Sequence, residues 1–109
     1  MPKSNRRYQR IPTPKGVWVA WQNGAESSVS RVRDLNIGGL FIATSTTAPL
    51  GTVVTILLSV PEGEIRSRAT VRNVVTDEGM GVEFTNIAAE DSARLEKLIA
   101  RLLAASVEE

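Results

Sequence analysis

The apolar residues of this chain change their spacing once, near residue 85, and that change restricts the fold more than any other feature. Before it, six short segments of β-branched, aromatic or alternating residues are separated by turn signals such as Asn23-Gly24. The pattern predicts strands at residues 17–21, 27–35, 40–43, 52–60, 65–76 and 80–84. Short strands joined by regular turns are typical of an antiparallel barrel.

After residue 85 the spacing of apolar residues becomes helical. Four of them fall at positions i, i+3, i+4 and i+7, which share one helix face: Leu95, Leu98, Ile99 and Leu102. The spacing predicts a helix over about 88–104. The fold class is therefore predicted as all-β with one C-terminal helix, a six-stranded antiparallel β-barrel with the helix packed on it. We expect a flexible basic N-terminal arm at 1–16 and the barrel with its helix at 17–105.

Alternation within the predicted strands assigns side chains to faces. In the longest strand one face carries Ile65, Ser67, Ala69, Val71, Asn73 and Val75, and the other carries Arg66, Arg68, Thr70 and Arg72. Trp18 and Trp21 are three residues apart, so they face opposite sides of their strand. We expect one tryptophan in the core and the other exposed or in an interface.

The 109 residues include no His and no Cys, and this excludes several classes of enzyme. Without them there is no imidazole base or thiolate nucleophile, and the usual zinc ligands are missing. Two carboxylate pairs, Asp77 with Glu78 and Glu62 with Glu64, fall in predicted surface turns with polar neighbours, where nothing favours acid catalysis. We therefore expect a protein that is not an enzyme and has no metal site and no cofactor.

The net charge of +1 hides an uneven distribution. Residues 1–15 carry five basic side chains and no acid, whereas the remaining residues carry 8 basic and 12 acidic groups. The basic residues of the arm are Lys3, Arg6, Arg7, Arg10 and Lys15. Basic arms often bind phosphates, although a solvated tail would have the same composition.

No apolar segment of the sequence approaches the length needed to cross a bilayer, and the first residues lack the apolar region of a secretory signal. We therefore expect a cytoplasmic location and no membrane insertion.

Two short motifs contain the side chains best suited to binding a nucleotide. In Arg6-Arg7-Tyr8-Gln9-Arg10, two arginines stand four residues apart. Guanidinium groups bind phosphate oxygens and the O6/N7 edge of guanine in the same forked geometry. In Asp34-Leu35-Asn36-Ile37-Gly38-Gly39, Asp34 and Asn36 point to one face, and Gly39 permits close approach of a ligand or of the arm.

These motifs, in this order and spacing, resemble the signature of the PilZ domain family. The signature is Arg-x-x-x-Arg followed by Asp or Asn, any residue, Ser, two residues and Gly, and here Asn36 replaces the usual Ser. Two further stretches are similar to the family pattern, Gly39-Leu40-Phe41-Ile42 and Gly81-Val82-Glu83-Phe84. The resemblance extends over roughly residues 4–103.

The resemblance implies a bacterial receptor for the second messenger cyclic di-GMP, built as a six-stranded barrel with a C-terminal helix. It implies that Arg6 and Arg10 wrap over the ligand and that Asp34, Asn36 and Gly39 hold a guanine. Arg7 lies between the motif arginines and is assigned a further phosphate contact. Ordering of the arm would then signal to a downstream protein or to a second copy, the chain being a monomer or a homodimer.

Two alternatives remain open at the level of sequence. The first is a PilZ-like adaptor for protein partners that has lost nucleotide binding through the exchange at Asn36. The second is a small nucleic-acid binder, with the barrel, the basic arm and Trp18 and Trp21 as stacking platforms. Against it, Arg66, Arg68 and Arg72 form only a modest group on one strand face, and pairing with acids or solvation is the favoured role for them. The acidic balance of the residues after the arm makes nucleic acid the less favoured partner.

Overall fold

Antiparallel pairing of six long strands closes a barrel, as the turn spacing predicts. The computed structural model describes residues 11–13 and 17–107. Its elements in chain order are β1 (Ile11–Pro12), β2 (Trp18–Asn23), β3 (Glu26–Asn36), β4 (Gly39–Ala43), β5 (Val53–Val60), β6 (Gly63–Val75), β7 (Gly79–Phe84) and α1 (Ala89–Val107). The long strands neighbour each other in the order β3-β2-β5-β6-β7-β4, and β4 pairs back with β3. The sheet therefore closes on itself, and the predicted fold class is confirmed.

The helix α1 lies against the barrel with the face that the apolar spacing predicts. Leu95, Leu98 and Leu102 are buried in the same core as the inward residues of the strands, and Ile99 is partly buried beside them. At the start of the helix, Asp91 accepts a hydrogen bond from the backbone N–H of Arg66 at 3.0 Å. The apolar stripe thus completes the barrel core, and this polar contact fixes the first turn of the helix on β6.

A partly shielded ion pair joins the later part of α1 to the turn between β5 and β6. Arg101 donates from Nε and Nη2 to the two carboxylate oxygens of Glu62, at 2.5 and 3.1 Å. The Glu62 side chain is only 11 % exposed, so the prediction of a solvated turn carboxylate is wrong for this residue. The hydrogen bond from Arg101 lowers the pKa of Glu62 below its ordinary value.

Two β-bulges interrupt the alternation of side chains, one at Arg33 and one at Arg72. The extra residue shifts the alternation, so Val74 rather than Asn73 packs against the core after the bulge in β6. The faces predicted for this strand are confirmed from Ile65 to Val71 and are wrong beyond it.

The two tryptophans lie on opposite faces of β2, as predicted. Trp21 is buried and donates its indole N–H to the hydroxyl of Ser30 at 3.1 Å, whereas the side chain of Trp18 is 48 % exposed. A single indole therefore belongs to the core, and the second lies on the outer surface beside β3.

Candidate ligand-binding site

The motif residues of β3 belong to the outer surface of four neighbouring strands. Asp34 pairs with Phe41 of β4, Phe41 with Gly81 of β7, and Gly81 with Asn73 of β6. The residues adjoining this row in β4 and β7 point into the core, so the row itself faces outward. Barrel closure thus brings residues from four separate parts of the sequence into one line.

A second row lies one step further towards the turn between β3 and β4. Asn36 pairs with Gly39, and Gly39 pairs with Glu83. Asp34 and Asn36 flank the fully buried Leu35 and therefore share the outer face, as their spacing predicts. The two rows place three predicted site residues, Asp34, Asn36 and Gly39, within one small area.

Arg33 organises the surroundings of Asp34. Its Nε lies 3.3 Å from Oδ2 of Asp34, and its Nη1 lies 3.6 Å from a carboxylate oxygen of Glu78. The guanidinium also lies over the ring of Phe41, 3.8 Å from the ring centroid. Phe41 is buried although it lies outside the barrel core, and the Asp34 side chain is only 13 % exposed. A carboxylate acceptor is thereby held next to an aromatic surface.

Asn36 shapes the turn that follows β3. Its side-chain oxygen accepts a hydrogen bond from the backbone N–H of Gly38 at 2.8 Å, two residues further on. Such a bond is typical of asparagine and aspartate at the start of a turn. Asn36 therefore has a structural role at the position where the PilZ signature has Ser.

Gly39 is required by the packing of two strands. A Cβ at this position would lie 2.1 Å from the carbonyl oxygen of Val82, which no real Cβ contact permits. Any larger residue would push β4 away from β7. The close approach predicted for a ligand or the arm is thus made, in the structure, by the backbone of β7.

Beside the second row, the outer surface forms a groove of about 520 Å³. Its lining consists of Asn36, Ile37, Gly38, Gly39, Leu40, Arg72, Asn73, Gly81, Val82, Glu83 and Phe84. On the side of β6 and β7, Arg72 donates from Nε to Oε1 of Glu83 at 2.8 Å. Arg72, Asn73 and Glu83 were not among the predicted site residues, because only the register of the closed barrel brings them next to Asn36.

The described part of the N-terminal arm runs alongside the same end of β3. Ile11 pairs with Leu35 and Pro12 with Asp34. Thr13 donates its backbone N–H to the carbonyl of Arg33 at 3.1 Å and its hydroxyl to the carbonyl of Val32. The predicted ligand-binding residues Arg6, Arg7 and Arg10 lie outside the described residues.

Within residues 11–13 and 17–107, no helix has both the length and the apolar character needed to span a bilayer.

Comparison with protein families gives a match that extends over most of the chain. The model of the PilZ domain family matches residues 4–101. The chain therefore belongs to the PilZ domain family, as the two motifs indicate. A search of curated proteins found no significant match.

Solved structures of similar fold include both longer proteins and an isolated domain. MrkH from K. pneumonia in its apo state aligns with a TM-score of 0.77 and 19 % identity over 93 % of this chain and 53 % of MrkH. The inhibitor of motility MotI/DgrA from Bacillus subtilis aligns with a TM-score of 0.70 and 25 % identity over 90 % of this chain and 52 % of MotI. This chain thus spans about half the length of these two proteins.

The PilZ domain of YcgR from Escherichia coli, solved with c-di-GMP, aligns with nearly all of this chain. It aligns with a TM-score of 0.71 and 21 % identity, over 94 % of this chain and 95 % of that domain. At this level of identity the similarity establishes the shared fold.

Proposed function

We propose that this protein is a non-enzymatic receptor for cyclic di-GMP. The observation that carries the proposal is the pairing of β1 with the end of β3. Ile11 lies opposite Leu35, the residue between Asp34 and Asn36 in the sequence. Arg10 is the residue before Ile11 in the sequence, so the arginine motif is joined directly to the strand that borders the Asp-x-Asn motif. Membership of the PilZ family and the c-di-GMP complex of the YcgR domain support the choice of ligand.

The chemistry of the candidate residues fits the two halves of a guanine nucleotide. Arg6 and Arg10 bind phosphate oxygens and the O6/N7 edge of guanine, and Arg7 adds a phosphate contact. Asp34 accepts hydrogen bonds from the nitrogen donors of guanine, and Asn36 and Gly39 form the surface against which the base rests. In this proposal the acceptor comes from the barrel and the cationic groups come from the arm.

The signal in this proposal is the ordering of the arm. The five positive charges of residues 1–15 repel one another without ligand, and the two phosphates of cyclic di-GMP offset that repulsion. Ordering of the arm takes up part of the binding free energy, on the order of a few kcal/mol. The ordered arm then presents a new surface to a protein partner in the bacterial cytoplasm, or to a second copy of the chain.

Calorimetric titration of the purified chain with cyclic di-GMP tests the proposal. Arg10→Ala should lower the affinity at least about tenfold, because a charge-assisted forked contact is lost. Arg10→Lys keeps the charge without the fork and should recover only part of the affinity. Lys3→Ala removes one positive charge from the same arm and is the control. No heat and no thermal shift for the unmodified chain at high micromolar ligand would rule out the proposal.

One observation favours a second candidate, an adaptor that binds proteins without nucleotide. The side-chain oxygen of Asn36 already accepts a hydrogen bond from the backbone N–H of Gly38, so a ligand donor at this position has to share that acceptor with the turn. Asn36→Ser restores the residue of the family signature. Binding of cyclic di-GMP by Asn36→Ser but not by the unmodified chain would establish the adaptor.

A further inference from the structure

Taking the proposed function as its basis, we propose that Arg72 is a further ligand-binding arginine, which contacts a phosphate of the cyclic dinucleotide. It would do so from the side of the groove opposite the Asp-x-Asn motif. Neither the arginine motif nor the Asp-x-Asn-x-x-Gly motif includes Arg72, which lies 62 residues after Arg10.

The first argument is position. Arg72 and Asn73 line the same groove as Asn36 and Gly39, so a ligand resting on the motif extends towards β6. The groove of about 520 Å³ falls within the range of small-molecule sites, roughly 300–1,000 Å³. A dinucleotide with two bases and two phosphates is too large to be held by the end of one strand, and the groove continues the surface in one direction.

The second argument is the local shape of β6. Arg72 is the extra residue of a β-bulge, since the register shifts between Val71 and Asn73. Bulges redirect side chains and are frequent next to functional sites. Opposite Asn73 stands Gly81, which has no side chain. Gly39 and Gly81 both line the groove, and neither adds a side chain that would separate Asn36 from Arg72.

The third argument is charge. Among the residues that line the groove, all of them described, Arg72 is the single cationic side chain and Glu83 the single anionic one. The pair is exposed, with side chains 61 % and 55 % accessible, so water competes with it and it is weakly held. A guanidinium has five N–H donors, and the hydrogen bond to Glu83 uses Nε. Arg72 can therefore donate hydrogen bonds from its terminal nitrogens to a phosphate while its Nε stays hydrogen-bonded to Glu83.

The chain contains a matched control on the same strand. Arg66 is also an exposed arginine of β6 paired with a glutamate, with Nη2 3.2 Å from Oε1 of Glu64 and side chains 69 % and 58 % accessible. It does not line the groove, and six residues of strand separate it from Arg72, about 20 Å. Arg66→Ala and Arg72→Ala remove the same charge from the same strand, so their difference isolates contact with the ligand.

The test is calorimetric titration of the full chain and its variants with cyclic di-GMP. We expect Arg72→Ala to weaken binding at least about tenfold, Arg72→Lys to lose part of that affinity, and Arg66→Ala to stay within about twofold. Melting curves without ligand check that each variant is folded. If Arg72→Ala is not folded, Arg72→Lys provides the test.

The possible results separate this inference from the proposed function. If the unmodified chain binds and Arg72→Ala matches Arg66→Ala, the role of Arg72 is overturned and the receptor function stands. If Arg72→Ala is unfolded and Arg72→Lys binds as tightly as the unmodified chain, the role of Arg72 is likewise overturned. If the unmodified chain does not bind, the proposed function and the role of Arg72 both fail.

Discussion

An ion pair between an arginine and a carboxylate occurs in two regions of the barrel, beneath the helix and on the outer surface at β3. The two pairs have different roles. Glu62 and Asp34 are both mostly buried carboxylates, 11 % and 13 % exposed, and each is paired with an arginine. Glu62 lies beneath α1, whose apolar residues complete the core, and its partner Arg101 belongs to that helix. Asp34 lies on the outer face beside Phe41 and a groove, and its partner Arg33 also stacks on Phe41.

The comparison shows how one can distinguish a pair that stabilises the fold from one that prepares a surface. The pair of Glu62 joins two elements that already bury apolar area together. The pair of Asp34 joins neighbours in the sequence, and its Arg33 also contacts Phe41 and Glu78, so this cluster builds the outer surface beside the groove. Changes near the helix should therefore alter stability, and changes at the outer face should alter ligand binding.

The largest effect on stability is expected from Leu98→Ala. Leu98 is fully buried between α1 and the barrel, and removing its side chain leaves a cavity in a shared core. Loss of about 2–5 kcal/mol in the free energy of unfolding is expected, measured by urea denaturation. Leu103 lies on the same helix and is 46 % exposed, so Leu103→Ala should change the free energy of unfolding by less than about 0.5 kcal/mol. Equal losses in both variants would show that the helix is not held by this face.

The sharpest contrast between the regions is expected from Asp34→Ala. Under the proposed function, loss of the carboxylate acceptor should weaken cyclic di-GMP binding at least about tenfold, which corresponds to about 1.4 kcal/mol. The free energy of unfolding should fall by less than in Leu98→Ala, because no apolar side chain of the core is removed. Calorimetry and urea denaturation measure the two effects on one sample. A large loss of stability with unchanged affinity would reverse the assignment of the two regions.

The smallest effect is expected from Glu62→Gln, and it should depend on pH. The pKa of Glu62 is lowered in the folded protein by its hydrogen bond from Arg101, so the ionised form stabilises the fold. This contribution is complete above the unfolded-state pKa and is lost as pH falls through the lower folded-state pKa. Glu62→Gln should cost at most about 1 kcal/mol at neutral pH and nothing in strong acid.

Glu64→Gln is the control for that series. Glu64 pairs with Arg66 at the surface, whereas Arg101 pairs with Glu62. Its variant should be as stable as the unmodified chain over the same pH range. A difference between Glu62→Gln and the unmodified chain that grows towards acid pH would contradict the sign derived from the lowered pKa.

Much of the strand layout follows from local pattern. The predicted segments agree with the six long strands to within a few residues at each end, because alternation and turn residues are local properties. The predicted helix over 88–104 corresponds to Ala89–Val107 for the same reason. The outward placement of Asp34 and Asn36 was also accessible from their spacing alone.

The parts that could not be predicted depend on contacts between distant residues. The composition of β6 does not indicate the bulge at Arg72. Because of this bulge, Val74 packs against the core and Asn73 faces outward. The pair of Glu62 and Arg101 joins residues 39 positions apart, so the local pattern gives no sign that this turn carboxylate is shielded from solvent. The motif predicts that a ligand or the arm approaches Gly39, and only the structure shows that the backbone of β7 also packs so closely that a Cβ would lie 2.1 Å from the carbonyl oxygen of Val82.

By itself, the sequence determined the type of each element, the membership in the PilZ family and the face on which the Asp-x-Asn motif lies. These properties depend on periodicity and on short motifs, both of which are local in the sequence. Only the tertiary structure decided which strands border the motif, and it thereby brought Arg72, Asn73 and Glu83 to the groove. The physical reason is that closure and register result from all six strands packing one core together, and no single segment contains that information.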